Sequence, residues 1–239
     1  MTADKVKQAL GKLADKKKAI ILAGFFKTGA GQYGASDKFL GITVPAQRTV
    51  AKKFSELSLK EIAKLLKSPY HEHRLTALLI LVDKFGQAIE AEKQKIVKFY
   101  LAKIKFINNW DLVDLSADKI LGEWLLAHPD NKLLNRLTAS KNLWQRRIAV
   151  LATLAFIKQK KLAPTFALAK KLLSDRHDLI HKAVGWMLRE AGKRDRVALE
   201  KFLNHYAVRL PRTMLRYALE KFSPAKRQFY LSRGRAKKL

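Results

Sequence analysis

The sequence predicts an all-α protein built as a solenoid of stacked helix pairs. Apolar residues recur at helical spacing in nearly every segment, and no stretch shows the sustained two-residue alternation of a strand. Matched helix positions recur every 34 to 37 residues, a period typical of two-helix repeats. Each has a partner four residues later on the same helix face. The pairs are Arg74/Leu78, Trp110/Asp114, Arg147/Leu151, Lys182/Trp186 and Arg216/Glu220.

Local signals set the order of the elements. A Gly-rich break from Thr28 to Gly41 follows the first two helices. Pro45 suits the first turn of the third helix, where its missing N–H is not needed. Ser58 with Glu61 has the spacing of a capping box that opens the fourth helix, and Ser68-Pro69 ends it. The predicted helices are Lys5–Lys16, Ala19–Lys27, Pro45–Leu57, Leu59–Lys67, His71–Phe85, Ile89–Lys105, Trp110–Ala127, Asn131–Ala139, Leu143–Lys160, Pro164–Leu173, Asp178–Ala191, Arg196–Tyr206, Pro211–Phe222 and Pro224–Leu231.

A recurring apolar string in the inner helices is the strongest support for the repeats. It runs through Leu75–Val82, Ile148–Ala155 and Ala183–Leu188. Lysine and arginine make up 49 of 239 residues, so a cation at a chosen position is weaker evidence. Pairing the helices gives about six repeats. We expect one domain over residues 1–232 and a basic, mobile tail over residues 233–239.

The composition points to a polyanion as partner. Lysine and arginine outnumber acidic residues by 49 to 20, a formal charge of +29 whose self-repulsion opposes a compact fold. Nucleic acid is the leading partner, through neutralisation of phosphates. The cations are spread along all helices, which disfavours a membrane-surface anchor. Composition alone does not separate DNA from RNA, and a generally basic proteome is an alternative explanation.

Several classes of protein are excluded or disfavoured. The chain has no cysteine, which excludes disulfides, thiolate metal sites and cysteine nucleophiles. Residues 1–18 are polar and lysine-rich, unlike a secretory signal. The longest apolar runs are far shorter than the ~20 residues of a membrane span. We therefore expect a cytoplasmic protein, associated with the nucleoid in a prokaryote.

Two short motifs do not indicate a site. Gly29-Ala-Gly-Gln-Tyr-Gly34 matches a dinucleotide fingerprint, but a predicted helix precedes it and a predicted loop follows, so we interpret it as a loop. His177 with His181, and His71 with His73, lack the further ligands that a metal site needs. We expect surface histidines at helix starts, and neither a metal nor a cofactor.

The segment Asn108–Asp114 is a candidate site. Trp110 and Asp114 share a helix face near its start, where the helix dipole favours a carboxylate. An ionised Asp114 among so many cations is a fixed negative charge available to a developing positive one. The alternative is structural: Asp111 or Asp114 caps the helix or forms an ion pair, and Trp110 packs between repeats.

Trp186 is a second candidate. Val184 and Leu188 occupy core positions, whereas Trp186 lies off their line, on a face with Lys182 and Arg189. A tryptophan flanked by cations can stack on a sugar or base while the cations hold phosphates. Arginines such as Arg146 and Arg147 suit bidentate phosphate contacts. A solvated helix face is the alternative for each cation.

The chain resembles the HEAT-like-repeat DNA alkylation repair glycosylases, the AlkD family, over nearly its whole length. The residues that carry the resemblance occur in the family's order. They are Tyr33–Pro45, Asn108–Asp114, Leu143–Arg147 and His177–Glu190. The resemblance implies a right-handed α-solenoid of HEAT-like repeats with a concave basic face.

The resemblance also implies an activity, that of a DNA-3-methyladenine/7-methylguanine glycosylase. Known members excise N3- and N7-alkylated purines from duplex DNA. The family's catalytic carboxylate falls on Asp114, its sugar-contacting tryptophans on Trp110 and Trp186, and its phosphate-binding arginine on Arg147. The Asn-Asn before Trp110 departs from the best-studied branch, which affects substrate preference more than the reaction. A monomer is expected.

The implied mechanism needs one carboxylate. An alkylated purine is already cationic and leaves without protonation, whereas a sugar hydrolase uses two carboxylates. Asp114 would stabilise the oxocarbenium ion and orient water, and the indole faces would favour the emerging cation. The residues expected to face phosphates are Arg74, Arg146, Arg147, Lys182, Arg189 and Arg216.

Two other functions are consistent with the residues. One is a non-catalytic binder of distorted or branched DNA, and the other is a solenoid that binds protein or RNA. Base release that depends on Asp114 separates the first from an enzyme. A steep salt dependence of binding to duplex DNA separates the second.

Overall fold

The computed structural model describes residues 1–35 and 37–233. Those residues form helices and loops, with one isolated parallel bridge between Lys38 and Tyr70 and no β-strand among them. The all-α prediction is therefore confirmed. The predicted basic tail lies outside the described residues except for Arg233, which ends the last helix. The chain divides into two compact units, Met1–Ile120 and Leu121–Leu239.

The first unit is built around one long buried helix. Its helices are α1 (Ala3–Gly11), α2 (Lys16–Phe25), α3 (Val44–Lys53), α4 (Leu59–Leu66), α5 (His71–Gln87), α6 (Glu90–Ala102) and α7 (Trp110–Asp114), with a 3-10 turn at Ile104–Phe106. Helix α5 packs against α1, α3, α4 and α6. Burial on all sides explains why Leu75–Val82 is apolar without a polar face.

The predicted cap at Ser58 is present, but only half of the capping box forms. The Ser58 hydroxyl accepts the Glu61 N–H at 3.4 Å. The Glu61 carboxylate does not return to the cap; it accepts the N–H of Ala3 at 2.8 Å instead. That N–H is one of the donors that the first turn of α1 leaves without an intrahelical partner. Glu61 therefore joins the start of α1 to α4.

The predicted helix Trp110–Ala127 is wrong as one continuous element. The structure has α7, then a π-helical turn at Asp118–Gly122, then α8 (Glu123–Ala127). Ser116 explains part of the break, because its hydroxyl donates to the Leu112 carbonyl at 2.6 Å and lies 3.0 Å from the buried Tyr100 hydroxyl. A serine that bonds back to the preceding turn bends a helix.

The second unit repeats the helix-pair pattern. After α8 come α9 (Asn131–Thr138), α10 (Leu143–Lys158), α11 (Ala163–Lys171), α12 (Asp178–Arg194), α13 (Arg196–Tyr206), α14 (Arg212–Ala218) and α15 (Pro224–Arg233). Helices α10 and α12 pack on each other. Helix α10 also packs against α9 and α11, and α12 packs against α13 and α14. Gly185 permits the close approach of α12 to α14, because a Cβ there would collide with Met214 and Tyr217.

The lengths of the helices bear on the expectation that the chain has no membrane span. Across residues 1–35 and 37–233, no helix combines the length and the apolar composition that crossing a bilayer requires.

The predicted helix ends mostly differ from the observed ones by a few residues. A larger difference is at α14, which spans Arg212–Ala218, whereas the prediction is Pro211–Phe222. Turns occupy those extra positions.

Candidate functional site

A cavity of about 460 Å³ in the first unit contains the first candidate site. Its wall is mostly apolar and comes from helices α2, α3, α5 and α7 and from the loop that precedes α3. Trp110 and Asp114 both line it, as their four-residue spacing predicts for one helix face. The polar or charged lining residues are Lys18, Thr43, Gln47, His71, Glu72, Asp111 and Asp114.

Aromatic contacts hold the Trp110 indole in place. The Phe26 ring stacks on it, with centroids 5.2 Å apart and planes 14° apart. Phe25 meets it edge-on at 5.8 Å. The backbone N–H of Trp110 donates to the Asn109 side chain at 2.8 Å, which caps the start of α7. Trp110 remains half-buried at the cavity wall.

The two acids of α7 have different surroundings. Asp111 is buried, with one carboxylate oxygen 2.7 Å from His71 Nε2 and the other accepting the Leu112 N–H at 2.8 Å. Asp114 is half-buried and lines the cavity beside Trp110. The sequence does not decide which of the two acids has a structural role. The structure shows that Asp111 forms a buried ion pair with His71.

Sequence patterns do not predict a buried charge cluster at the wall of the cavity, where His71 and Asp111 belong to the lining. His71 lies between Asp37, 3.2 Å from its Nδ1, and Asp111, 2.7 Å from its Nε2. Arg74 pairs with Asp37 at 2.6 Å, and the Asn109 amide donates to Asp37 at 3.1 Å. We refer to these five residues as the His71 cluster. Its members are too far apart in the sequence for any local motif to predict them.

The expectation of surface histidines is wrong for α5. His71 is only 2% exposed and His73 is also buried, with its Nδ1 2.8 Å from the Ser68 hydroxyl. Helix α5 is covered on all sides, so its first turn is covered as well. His177 and His181 are half-buried at the start of α12, where the Leu179 N–H donates to His177 Nδ1 at 3.1 Å.

Charges in the cluster oppose the effect of burial on its ionisation. Burial lowers the pKa of His71, but the adjacent carboxylates of Asp111 and Asp37 outweigh it and raise that pKa to about 9. Burial likewise raises the pKa of Asp37, but hydrogen bonds from His71 and the charge of Arg74 leave that pKa below its usual value. Burial lowers the pKa of His73 to about 4, aided by Lys7 and Arg74.

Glu72 fixes the loop before α3, which lines the cavity. Its carboxylate accepts the N–H groups of Leu40, Gly41 and Ile42 at 2.8 to 3.3 Å. Gly41 has a φ of +84° and approaches the backbone of Asp15 at the start of α2, so a Cβ would not fit there. The Gly29–Gly34 motif follows helix α2 and lies in turns, which confirms its interpretation as a loop.

Arg74 and Arg147 are both buried, each 4% exposed. Arg74 is held by Asp37 and donates to the Ser68 carbonyl at 2.9 Å. Arg147 donates to the Leu179 carbonyl at 2.6 Å within the second unit. This placement does not favour the predicted phosphate contact of Arg74, whose guanidinium would have to leave a buried carboxylate.

Trp186 is half-buried on α12, with Val184 and Leu188 buried on either side of it in the sequence, as predicted. Its indole Nε1 donates to Glu190 at 3.2 Å. Lys193 also binds Glu190, at 2.8 Å. Burial raises the pKa of Glu190, but Lys193 and Arg189 together hold it below its usual value.

The remaining predicted cations of the second unit lie nearer the surface. Lys182 pairs with Asp178 at 2.7 Å, and both side chains are well exposed. Arg189 pairs with Glu190 and Glu220. Arg146 is half-buried and donates to Asp175 at 2.7 Å, whereas Arg216 is exposed on α14. Within the part of the chain that the structure describes, no cluster of three or more histidines and acids could hold a metal.

Comparisons with known proteins agree with this architecture. The sequence model of a family described as "DNA alkylation repair enzyme" matches residues 6–222. A solved structure, the "Predicted DNA alkylation repair enzyme from Enterococcus faecalis", superposes with a TM-score of 0.70. It is 18% identical, and the match covers 88% of this chain and 97% of that chain, which is a likeness of fold. No curated protein matches.

Proposed function

Because the chain belongs to the family of DNA alkylation repair enzymes, we propose that it is a DNA glycosylase for cationic alkylated purines. It hydrolyses the N-glycosidic bond of N3- or N7-alkylated purines in duplex DNA. The observation that carries the proposal is that Trp110 and Asp114 line the same cavity. A DNA repair role follows from the family, and the specific bond and substrate are our proposal.

Asp114 supplies the negative charge that the reaction needs. The alkylated purine leaves as a neutral base, so positive charge develops on the sugar and no general acid is required. A carboxylate fixed beside that sugar stabilises the oxocarbenium ion and orients the attacking water. The half-buried site strengthens the interaction, because the local dielectric is lower than that of water.

We propose that Trp110 holds the deoxyribose. Phe26 and Phe25 restrict the indole from two directions, so it loses little further side-chain freedom when a sugar binds. The negative face of an indole attracts an emerging cation. We propose the same contact for Trp186, whose indole Glu190 orients in the second unit.

The exposed cations of the second unit are the better candidates for phosphate contacts. Lys182 and its partner Asp178 are both substantially exposed, and such a pair contributes only about 0–1 kcal/mol. A DNA phosphate can replace Asp178 at little cost, and Arg216 is exposed on α14, which packs on α12. Arg189 would first have to leave Glu190 and Glu220. Freeing the buried Arg74 costs several kcal/mol more. We therefore propose that Arg74 is structural. Arg147 is as buried as Arg74, and Arg146 pairs with Asp175, whose side chain is buried, so their predicted phosphate contacts are less favoured than that of Lys182.

The proposed partner is duplex DNA that contains alkylated purines. The formal charge of +29 suits that polyanion. We propose that the protein acts as a monomer without a cofactor, in the cytoplasm and on the nucleoid if the source is prokaryotic.

Substitution of one acid tests the proposal. Asp114→Asn should lower the release of alkylated purines from methylated duplex DNA by about 100-fold, because one electrostatic stabiliser of a transition state has that order of effect. Its affinity for the duplex should change little. Asp83→Asn is the matched control, since Asp83 is half-buried in the same unit but does not line the cavity.

Each outcome has a clear meaning. Equal release by the Asp114→Asn variant and the wild type would refute the role of Asp114. Tight DNA binding without base release by the wild type would favour a non-catalytic binder of distorted DNA. Identification of the released bases by mass spectrometry would define the substrate.

A further inference from the structure

We propose that His71 is a positioning residue for this site. Clamped between Asp37 and Asp111, it fixes the first turn of α7, and with it the Trp110 indole and the Asp114 carboxylate. The effect on catalysis rests on the proposed glycosylase function. The effect on the geometry of α7 does not, so the two can be tested separately.

Both ring nitrogens of His71 face a carboxylate. Nδ1 lies 3.2 Å from Asp37 and Nε2 lies 2.7 Å from Asp111. A neutral imidazole has one N–H and one lone pair, so it would turn a lone pair toward one of these oxygens. Only the imidazolium donates to both carboxylates at once. The geometry therefore assigns His71 a positive charge.

The cluster holds the residues on both sides of Trp110. Asp111, which follows it, is bound by His71. Asn109, which precedes it, donates to Asp37 at 3.1 Å and accepts the Trp110 N–H at 2.8 Å. Helix α7 has only five residues and few internal hydrogen bonds of its own. Its orientation consequently depends on these tethers.

A second connection from His71 to Trp110 runs through aromatic rings. His71 stacks with Phe39 and packs against Phe26, each with a centroid distance of 4.8 Å. Phe26 in turn stacks on Trp110. A shift of the imidazole therefore reaches the indole through one intervening ring as well as through the backbone.

The charges around His71 balance only when it is protonated. Arg74 and His71 then match Asp37 and Asp111, two cations against two anions. Among the other charged groups nearby, Glu72 is engaged by loop amides, and Asp114 and Lys18 line the same cavity. The start of a helix disfavours a cation, so the imidazolium depends on the two carboxylates. Loss of its proton leaves one buried negative charge unbalanced and loosens the start of α7.

Kinetics of two histidine variants test the catalytic consequence. His71→Gln should lower single-turnover base release by about 10- to 100-fold, the effect of a small misplacement of catalytic groups. Its DNA affinity should change by less than about threefold. His73→Gln is the matched control, because His73 is buried on the same helix but lies outside the cavity lining. Equal effects of the two variants would overturn the proposal.

The pH profile adds a readout that a purely structural role would not change. Wild-type base release should decline as pH rises through about 9, the pKa of His71. His71→Gln should lack that decline, while His73→Gln should keep it. A wild-type decline that persists unchanged in His71→Gln would contradict the proposal.

A spectroscopic test works even if no base is released. Trp124, Trp144 and Trp186 are replaced by Phe, so that Trp110 alone reports on α7. Its fluorescence should change as pH passes about 9, and His71→Gln should abolish that transition. Nitrogen-15 NMR of labelled histidine should find both His71 nitrogens protonated at neutral pH. A neutral His71, or a Trp110 signal independent of His71, would overturn the positioning role. If the wild type releases no base although the Trp110 variant shows the transition, only the glycosylase function is refuted.

Discussion

At the scale of single residues, two carboxylates three positions apart have separate roles. Both line the cavity, but Asp111 is buried and bound to His71, whereas Asp114 is half-buried beside Trp110. The four-residue spacing of Trp110 and Asp114 predicted their shared face, because helix geometry is local. The partners of Asp111 could not be predicted. Asp37 and His71 are 34 residues apart, and His71 and Asp111 are 40 apart, so only the tertiary fold brings them together.

The raised pKa of His71 predicts a pH-dependent stability. A group whose pKa is higher in the folded state stabilises that state fully below its unfolded pKa of 6.5, and the contribution is lost as pH rises through about 9. The difference amounts to on the order of 3 kcal/mol. The free energy of unfolding can be measured for the wild type and for His71→Gln by urea denaturation. The difference between the two should therefore shrink as pH rises from 6.5 to 9.

His73→Gln serves as the control for that experiment. The pKa of His73 is lowered to about 4, so it is neutral throughout this range, and the stability gap between wild type and His73→Gln should stay constant. If the gap to His71→Gln also stays constant, His71 carries no charge in the folded protein.

At the scale of elements, the helices were predictable and one of their breaks was not. Helices α5, α10 and α12 follow from long apolar strings, and the cap at Ser58 follows a local rule. The segment Trp110–Ala127 has the pattern of one helix but breaks after Asp114. Ser116 contributes to the break, because its hydroxyl bonds back to the Leu112 carbonyl and contacts the buried Tyr100 hydroxyl, and a helical pattern does not reveal these contacts.

Removal of that hydroxyl should destabilise the unit. The Ser116 hydroxyl donates to Leu112, so the buried Tyr100 O–H donates to Ser116, and Ser116→Ala leaves it without an acceptor. An unsatisfied buried donor costs about 1–3 kcal/mol. Chemical denaturation should register that loss, whereas Thr49→Ala, at an exposed hydroxyl, should change stability by less than about 0.5 kcal/mol. Equal effects would mean that the Tyr100–Ser116 bond contributes nothing.

At the scale of the whole molecule, the charge of +29 predicted a polyanion partner, and the family match supports DNA. Composition could not say which cations are available. The structure separates buried guanidiniums, such as Arg74, from exposed side chains such as Arg216. An arginine in the sequence predicts a positive charge. Its burial decides whether the guanidinium can bind a phosphate without first separating from a paired carboxylate.

Salt dependence should distinguish these classes of cation. Affinity for duplex DNA should fall by about 10³ or more between ~50 and ~200 mM salt if six or more phosphates are neutralised. In a plot of log affinity against log salt concentration, Lys182→Ala and Arg216→Ala should each reduce the magnitude of the slope by about 1. Lys98→Ala is the control and should leave the slope unchanged, because Lys98 is an exposed cation on α6 that is not among the proposed phosphate contacts. A flat response of the wild type would contradict DNA binding through phosphates and favour protein recognition.

The most direct test of the central claim compares a charged lesion with an uncharged one. Single-turnover release is measured from one duplex with a cationic N3-alkylated adenine, and from another in which carbon replaces the alkylated nitrogen so that the base stays neutral. The wild type should release the cationic base and retain the neutral one, with similar affinity for both duplexes, and Asp114→Asn should release the cationic base about 100-fold more slowly. Equal release of both bases, or release unaffected by Asp114→Asn, would contradict a carboxylate that stabilises a sugar cation.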